Sequence, residues 1–276
     1  MKYIKKAFRI FKENFLVLFW IEKIFILLSS ILIFFSVKRI ISYFDVVNSL
    51  MPELKGIRDN LTSNVDLVQF NNLMALVGEG VKNILVMVVL VIVGFFLLWC
   101  LFQSVSWRLC YKSIKEKVNL KNFFKNFSWK YLFKFSLVSL FFLVLISPLL
   151  FQIVINLRGF ILNNIISRFN LAETLSGTGS VSAVIISSII LLFLIYFLNL
   201  VYIFLNENGI FKSVKKAFLV GIKKFYLFFI TLLCLTISFT LLLLIRLNSF
   251  FVLLSVGLIF IFYIYFKILM NVLVRE

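Results

Sequence analysis

Six stretches of this chain are each long and apolar enough to leave water altogether, and that fixes the solvent before any other property. An α-helix rises 1.5 Å per residue, so roughly 20 mainly apolar residues cross the hydrocarbon core of a bilayer. Residues 15–37, 84–107, 131–155, 181–205, 225–245 and 249–272 meet that requirement. Inside lipid each backbone N–H and C=O needs a partner within the segment, so the six stretches predict helices. Composition agrees, since 63% of the 276 residues are hydrophobic and 14% are charged. A soluble domain is about half apolar and about a quarter charged, and a soluble fold of this composition has too little polar surface to cover itself. The expected fold class is therefore all-α: a polytopic membrane protein of six transmembrane helices arranged as three hairpins. It forms a single integral membrane domain over residues 1–276. Only Arg246, Leu247 and Asn248 separate the last two stretches, which predicts a tight antiparallel turn. Pro148, inside the third, predicts a kink. The basic N-terminus is followed by an apolar stretch too long for a signal-peptide core and without a small-residue cleavage site, so it is expected to be retained.

Lysine and arginine set the orientation. Lys2, Lys5, Lys6, Arg9 and Lys12 precede the first stretch. Arg108, Lys112, Lys115, Lys117, Lys121, Lys125 and Lys130 lie between the second and third, and Lys212, Lys215, Lys216, Lys223 and Lys224 between the fourth and fifth. With six spans these three regions share one side. The other side holds fewer cations, and those of its long loop are balanced by Asp45, Glu53, Asp59, Asp66 and Glu79. The positive-inside rule then places both termini in the cytoplasm of a cell-membrane protein. The long loop, about residues 38–82, is expected to be a small external helical cap. Ile40, Ile41, Phe44, Val47 and Leu50 recur there at helical spacing, with Pro52 closing the run and a second helix leading from about Asp66 into the second span.

Three basic segments lead directly into odd-numbered spans: YIKKAFRIFKENF from Tyr3, NLKNFFKNFSWKY from Asn119 and SVKKAFLVGIKKF from Ser213. Aligned on Lys5, Lys121 and Lys215, they place cations on one face of a helix and aromatic or aliphatic residues on the other. In the first, Lys5, Lys6, Arg9 and Lys12 oppose Ile4, Ala7, Phe8, Phe11 and Phe15. In the second, Lys121 and Lys125 oppose Leu120, Phe123, Phe124 and Phe127. In the third, Lys215 and Lys216 carry the basic face, while Leu219 and Ile222 stray toward it. Such a segment is expected to lie flat on the inner leaflet, apolar face down, before the chain turns into the membrane. The alternative is a basic flank that only sets topology. The expected partners are the bilayer, its anionic cytoplasmic-leaflet lipids, and in addition a membrane protein.

The run Asn206-Glu207-Asn208-Gly209, followed by Lys212-Ser213-Val214-Lys215-Lys216-Ala217-Phe218 and a new span, resembles a motif of one family. It is similar to six-span proteins related to the membrane domain of some glycerophosphodiester phosphodiesterases, which have stand-alone prokaryotic relatives of unknown function. The resemblance covers the topology as a whole and a motif of about twenty residues. The phosphodiesterase barrel of that family needs histidine and metal-binding carboxylates. This chain has no histidine and no length left for a barrel, so the resemblance carries over no enzymatic activity.

The same shortage of groups argues against catalysis in general. Without histidine there is no usual triad and no imidazole metal ligand. No phosphate loop and no GxGxxG after a strand occurs. The three cysteines, Cys100, Cys110 and Cys234, have no metal spacing and read as free buried thiols. Neither catalytic residues nor a cofactor or metal is expected. The net charge of +18, from 29 Lys+Arg against 11 Asp+Glu, sits between apolar spans and points to headgroups, not to nucleic acid. Glu207 is expected to help start the helix that follows it.

Polar groups inside the spans are the remaining candidates, because an intramembrane ionisable group is costly. Glu22, Lys134 and Lys267 stand out, beside Lys23, Gln103, Gln152, Asn156 and Asn199. Glu22 lies about seven residues, or roughly 10 Å, into the first span, too deep to snorkel. Lys267 lies at a similar depth on the last span, so Glu22 is expected to pair with Lys267, with Lys134 as second choice. These features imply a non-enzymatic multi-pass protein that organises or interacts with lipids or other membrane proteins. A transporter or permease subunit for a small solute or lipid is the alternative, disfavoured by few Gly, two Pro and few midplane charges.

Overall fold

The computed structural model describes residues 2–59, 64–118, 127–168, 181–244 and 249–275. Among the described residues the regular structure is entirely helical. The helices are α1 (Lys2–Asp59), α2 (Asn64–Lys112), α3 (Trp129–Arg168), α4 (Val181–Phe204), α5 (Ile210–Lys223), α6 (Tyr226–Leu244) and α7 (Ser249–Arg275). Four of them are long and apolar enough to cross a membrane, or five if the bent pair α5 and α6 counts as one span. Their surfaces support a membrane-embedded protein. Leu16, Phe34, Phe35, Phe133 and Phe151 are each about two-thirds exposed, and contiguous large apolar side chains at this density are not tolerated against water. The last two connections fall differently: residues 246–248, the expected tight turn, lie outside the described residues.

The chain divides into two compact units, Met1–Ile21 with Gln103–Glu276, and Glu22–Phe102. In the second unit, partners descend α1 as they climb α2. Phe25 meets Phe95, Trp99 and Phe102, with ring centroids 5.9–6.0 Å apart. Further along, Leu32 packs on Gly94 and Val47 on Gly80. Val47, Leu54, Leu73 and Val77 then form a small core with Leu50, Ile57 and Phe70 against it. The helical periodicity read between residues 38 and 82 is therefore real, and its helices run on from the apolar stretches without a break. Pro52 does not close the run, since α1 continues through it to Asp59. Proline costs the bond to the carbonyl four residues back, and neighbouring turns of a long packed helix can carry that local loss. At 1.5 Å per residue, the parts of α1 and α2 within the second unit, residues 22–59 and 64–102, extend about 57 Å and about 58 Å. Both exceed the full thickness of a bilayer, about 40–45 Å with its headgroups.

The first unit is organised around aromatic contacts. Tyr202 on α4 stacks on Phe135 of α3 at 4.1 Å and meets Trp107 of α2 at 5.7 Å. Its hydroxyl shares a 2.8 Å hydrogen bond with Ser139, and its carbonyl accepts one from the Tyr131 hydroxyl at 3.2 Å. Lipid tails are as apolar as leucine, so burial does little to drive helices together. Close packing and interhelical hydrogen bonds do that instead, and each aromatic pair adds about 0.5–1.5 kcal/mol. The start of α3 thus meets the end of α4. The start of α6 likewise meets the end of α7, where Lys224 Nζ donates to the carbonyls of Leu273 (2.8 Å) and Val274 (3.3 Å). A cation on these last carbonyls satisfies groups the helix leaves open and suits the negative end of its dipole. α3 itself runs unbroken through Pro148.

Candidate functional site

The most distinctive element of the first unit is α5. Gly209 precedes it in an extended conformation, φ −71° and ψ 167°. Ser213 Oγ donates back to the Gly209 carbonyl at 2.9 Å. The helix ends at Lys224, whose N–H bonds the Val220 carbonyl, and α6 leaves at 94° two residues later. Ser213, Ala217 and Gly221 are its buried residues. They recur every four positions and so form one line. The absence of bulk along it lets α4 approach, and a Cβ on Gly221 would come within 2.7 Å of the Phe197 ring and 3.1 Å of Leu200. Tyr196 of α4 donates its hydroxyl to the Gly221 carbonyl at 3.1 Å.

The outer surface of α5 is divided. At 100° per residue, Phe211, Val214, Phe218 and Ile222 fall on one side of the small-residue line, and all four are exposed, Phe211 to 91%. Lys212, Lys215, Lys216 and Lys223 fall on the other side and are also exposed. Leu219, half exposed, lies among the cations as its sequence position implied. The helix therefore presents one face to protein, one apolar face and one cationic face.

The first basic segment differs from that expectation. It is amphipathic, but it does not turn before the apolar stretch, because α1 is continuous from Lys2. A flat segment and a span share the same 3.6-residue period, so nothing in the hydropathy marks a bend. Its alignment with α5 nevertheless holds at the level of side chains. Ala7 and Ala217 are only 0% and 1% exposed, while the following Phe8 and Phe218 are each 57% exposed. Lys5, Lys6, Arg9 and Lys12 are exposed. Lys5, Lys6 and Arg9 border, with Lys115 and Lys117, a cleft of about 590 Å³ that also contains Glu13 and Glu116. Buried Asn14 fixes this wall, accepting from the Val118 N–H at 2.7 Å and donating to the Ile10 carbonyl at 2.9 Å. Lys121 and Lys125, with most of the second basic segment, lie outside the described residues.

Of the intramembrane polar residues, Lys267 has the fullest surroundings. It is fully buried on α7. Its Nζ donates to Gln103 Oε1 at 2.6 Å and to Ser106 Oγ at 2.7 Å, both on α2. It also sits 4.2 Å from the Tyr263 ring centroid and 5.7 Å from that of Trp107. Asn271, one turn on, is buried and donates to the Lys267 carbonyl, while its Oδ1 and the Trp107 Nε1 have no hydrogen-bond partner among the described residues. Ser106, Tyr263 and Asn271 were not singled out from the sequence. The signal existed: Tyr263, Lys267 and Asn271 are four residues apart on one helix, and Gln103, Ser106 and Trp107 follow an i, i+3, i+4 pattern on another. Glu22 is buried in the second unit, so its expected pairing with Lys267 rests on sequence depth alone. Lys134 donates to the Asn208 carbonyl at 2.9 Å, a tie from near the start of α3 to the turn between α4 and α5.

Glu207 corrects one expectation. It does not cap α5, whose first residue position is held by Gly209 without a side-chain cap. Its carboxylate accepts instead from the Tyr111 hydroxyl at 2.6 Å and from Arg275 Nη2 at 2.9 Å. The Arg275 guanidinium in turn lies 3.7 Å from the Tyr111 ring centroid. A carboxylate within reach of a guanidinium and a phenol gains two charge-assisted bonds there, against one such bond to a backbone N–H at a helix start. Cys100, Cys110 and Cys234 are all buried.

This is an all-helical chain with several helices suited to a bilayer and a basic amphipathic helix set at a right angle to one of them. Compared with known protein families, with curated proteins and with solved structures, it matches none.

Proposed function

We propose that this is a non-enzymatic multi-pass membrane protein whose basic amphipathic helices engage anionic lipid at the cytoplasmic leaflet. The observation that carries the reading is the 94° elbow between α5 and α6. A helix entering the bilayer leaves its right-angled neighbour lying along the interface, and α5 has the apolar and cationic faces that position requires. Anionic headgroups attract each nearby Lys or Arg by about 1 kcal/mol. The proposed topology is six spans in three hairpins with both ends cytoplasmic, and the pairing of α3 with α4 and of α6 with α7 supports it. The resemblance to membrane domains of glycerophosphodiester phosphodiesterases belongs to the same proposal and adds no enzymatic role.

The test is thermal unfolding of the purified chain in mild detergent with added lipid. Anionic lipid is expected to raise the midpoint more than zwitterionic lipid does, and salt is expected to shrink the difference. Equal stabilisation by both lipids at low salt would sink the reading. One observation favours a transport role as a second reading: the buried Lys267 cluster, since polar groups deep in a bundle mark solute and ion paths. Solute-dependent flux in proteoliposomes, lost in Lys267→Met, would move the conclusion to it.

A further inference from the structure

Two cavities of the first unit are lined by successive turns of α3, and their chemistry changes sharply from one to the other. The first holds about 230 Å³ and is bordered by Arg108, Lys112, Lys130 and Lys134, with Ser128 and Tyr111 adding hydroxyls. Among the described lining residues there is no carboxylate, and the Tyr111 hydroxyl donates to Glu207 at 2.6 Å. The second holds about 840 Å³ and is almost wholly apolar, bordered by Leu137, Phe141, Phe211, Val214 and Phe218, with Lys215 at its rim.

Their lining residues follow one another in order along both walls. On α3, Lys130, Lys134, Leu137 and Phe141 are spaced i, i+4, i+7 and i+11, so they form one stripe. That stripe is cationic in its first turn and apolar thereafter. It covers about 16 Å, close to half the thickness of a hydrocarbon core. On the opposite wall Asn206 borders the polar cavity, and Ile210 and Phe211 border the apolar groove. Lys134, bonded to the carbonyl of Asn208, ties the two walls where one cavity gives way to the next. A ligand that fits this gradient has a compact anion at one end and a hydrocarbon chain at the other.

We infer that this is a discrete binding site for one phosphate-bearing lipid. Its phosphate sits among Arg108, Lys112 and Lys130, and an acyl chain runs down the α3–α5 groove. Arginine offers a planar fork for two phosphate oxygens, and the lysines add point charges. Basic pockets between helices on the cytoplasmic side are a known physical means of holding anionic headgroups. The inference rests on the proposed lipid reading and makes it specific. A flat basic helix attracts any anionic surface, whereas this site takes a single molecule and saturates.

The experiment is native mass spectrometry of the full chain in mild detergent, titrated with phosphatidylglycerol or phosphatidylcholine. One phosphatidylglycerol is expected to bind per chain well below the concentration at which further lipids add, with phosphatidylcholine showing no such first step. The double substitution Arg108→Gln with Lys130→Gln is expected to weaken that first step on the order of 30-fold. Lys38→Gln with Lys55→Gln removes the same charge from the second unit and is expected to leave it unchanged. Arg108→Lys with Lys130→Arg keeps the charge and is expected to retain binding, which separates loss of the site from loss of the fold. Phe141→Ser with Phe211→Ser is expected to weaken the lipid as well. If phosphatidylglycerol preference survives in the glutamine variant, the site is wrong and the general lipid reading stands. If wild-type protein shows no preference at all, both fall. If inorganic phosphate displaces the lipid at equal concentration, the ligand is a free anion and the inference is overturned.

Discussion

Lys267 on α7 donates its Nζ to the side-chain carbonyl of Gln103 on α2 across 2.6 Å, inside a region where neither residue meets solvent. Hydrogen bonds to charged groups contribute about 1.5–3 kcal/mol in proteins, although bonds between membrane helices average nearer 0.6 kcal/mol. Removing one partner is worse than removing both, because the survivor stays buried without its bond. Gln103→Leu is therefore expected to destabilise the chain by about 1–3 kcal/mol, and adding Lys267→Met is expected to recover part of that loss. Thermal unfolding of the two single variants and the double variant in detergent checks this, and strictly additive losses would show that the pair is not coupled.

The α4–α5 contact depends on absent side chains. Gly221→Ala gains up to about 1 kcal/mol of helix propensity, but its methyl would sit 2.7 Å from the Phe197 ring edge. The two effects nearly cancel. Gly221→Leu keeps the gain small and multiplies the clash, so it is expected to cost about 1–3 kcal/mol. Pairing it with Phe197→Ala should restore part of the stability. A Leu variant as stable as wild type would mean that α5 can lift from α4 without loss.

Arg275 and Glu207 offer a contrast of mechanisms. Glu207 is 46% exposed, so its ion pair is partly screened and Glu207→Gln is expected to cost less than about 1 kcal/mol. Arg275→Ala loses the pair and also the stacking on Tyr111, worth about 0.5–2 kcal/mol. The arginine change should therefore be the larger in urea or thermal unfolding. The reverse order would show that the cation–π contact carries little.

Much of this was legible in the residues, for a physical reason: hydrocarbon demands about twenty apolar residues and a satisfied backbone, and both requirements are local. The three faces of α5 were partly legible too, since Lys215, Lys216 and Phe218 obey the helical period. The line Ser213, Ala217, Gly221 went unread although its spacing stands in the sequence. What it packs on, Tyr196 and Phe197, lies on another helix, and no local rule names that partner. Glu207 was misread for a related reason. Its nearest neighbours in sequence offered a helix start, but Tyr111 and Arg275, 96 and 68 residues away, offered stronger bonds. The continuity of α1 was hidden because a basic amphipathic turn and an apolar span repeat with one period, and Pro52 looked like a stop where a long helix could absorb it.

Orientation is open to a direct check. Reporter fusions after Leu50 and after Glu173 are expected to read as external, and fusions after Lys117, after Lys216 and at Glu276 as cytoplasmic. The fusion after Leu50 also probes how far α1 projects, since it falls in the stretch that holds Val47 and Leu54. A single pair of fusions with reversed readings would require a different number of crossings.

The right angle between α5 and α6 has a mechanical consequence. If α5 rests in one leaflet, its 14 residues occupy a strip about 21 Å long and about 10 Å wide. That is about 200 Å² of area added to one monolayer. A bilayer relieves such an imbalance by bowing toward the crowded side. The chain would then act as a wedge, gathering where the membrane already curves and resisting its flattening.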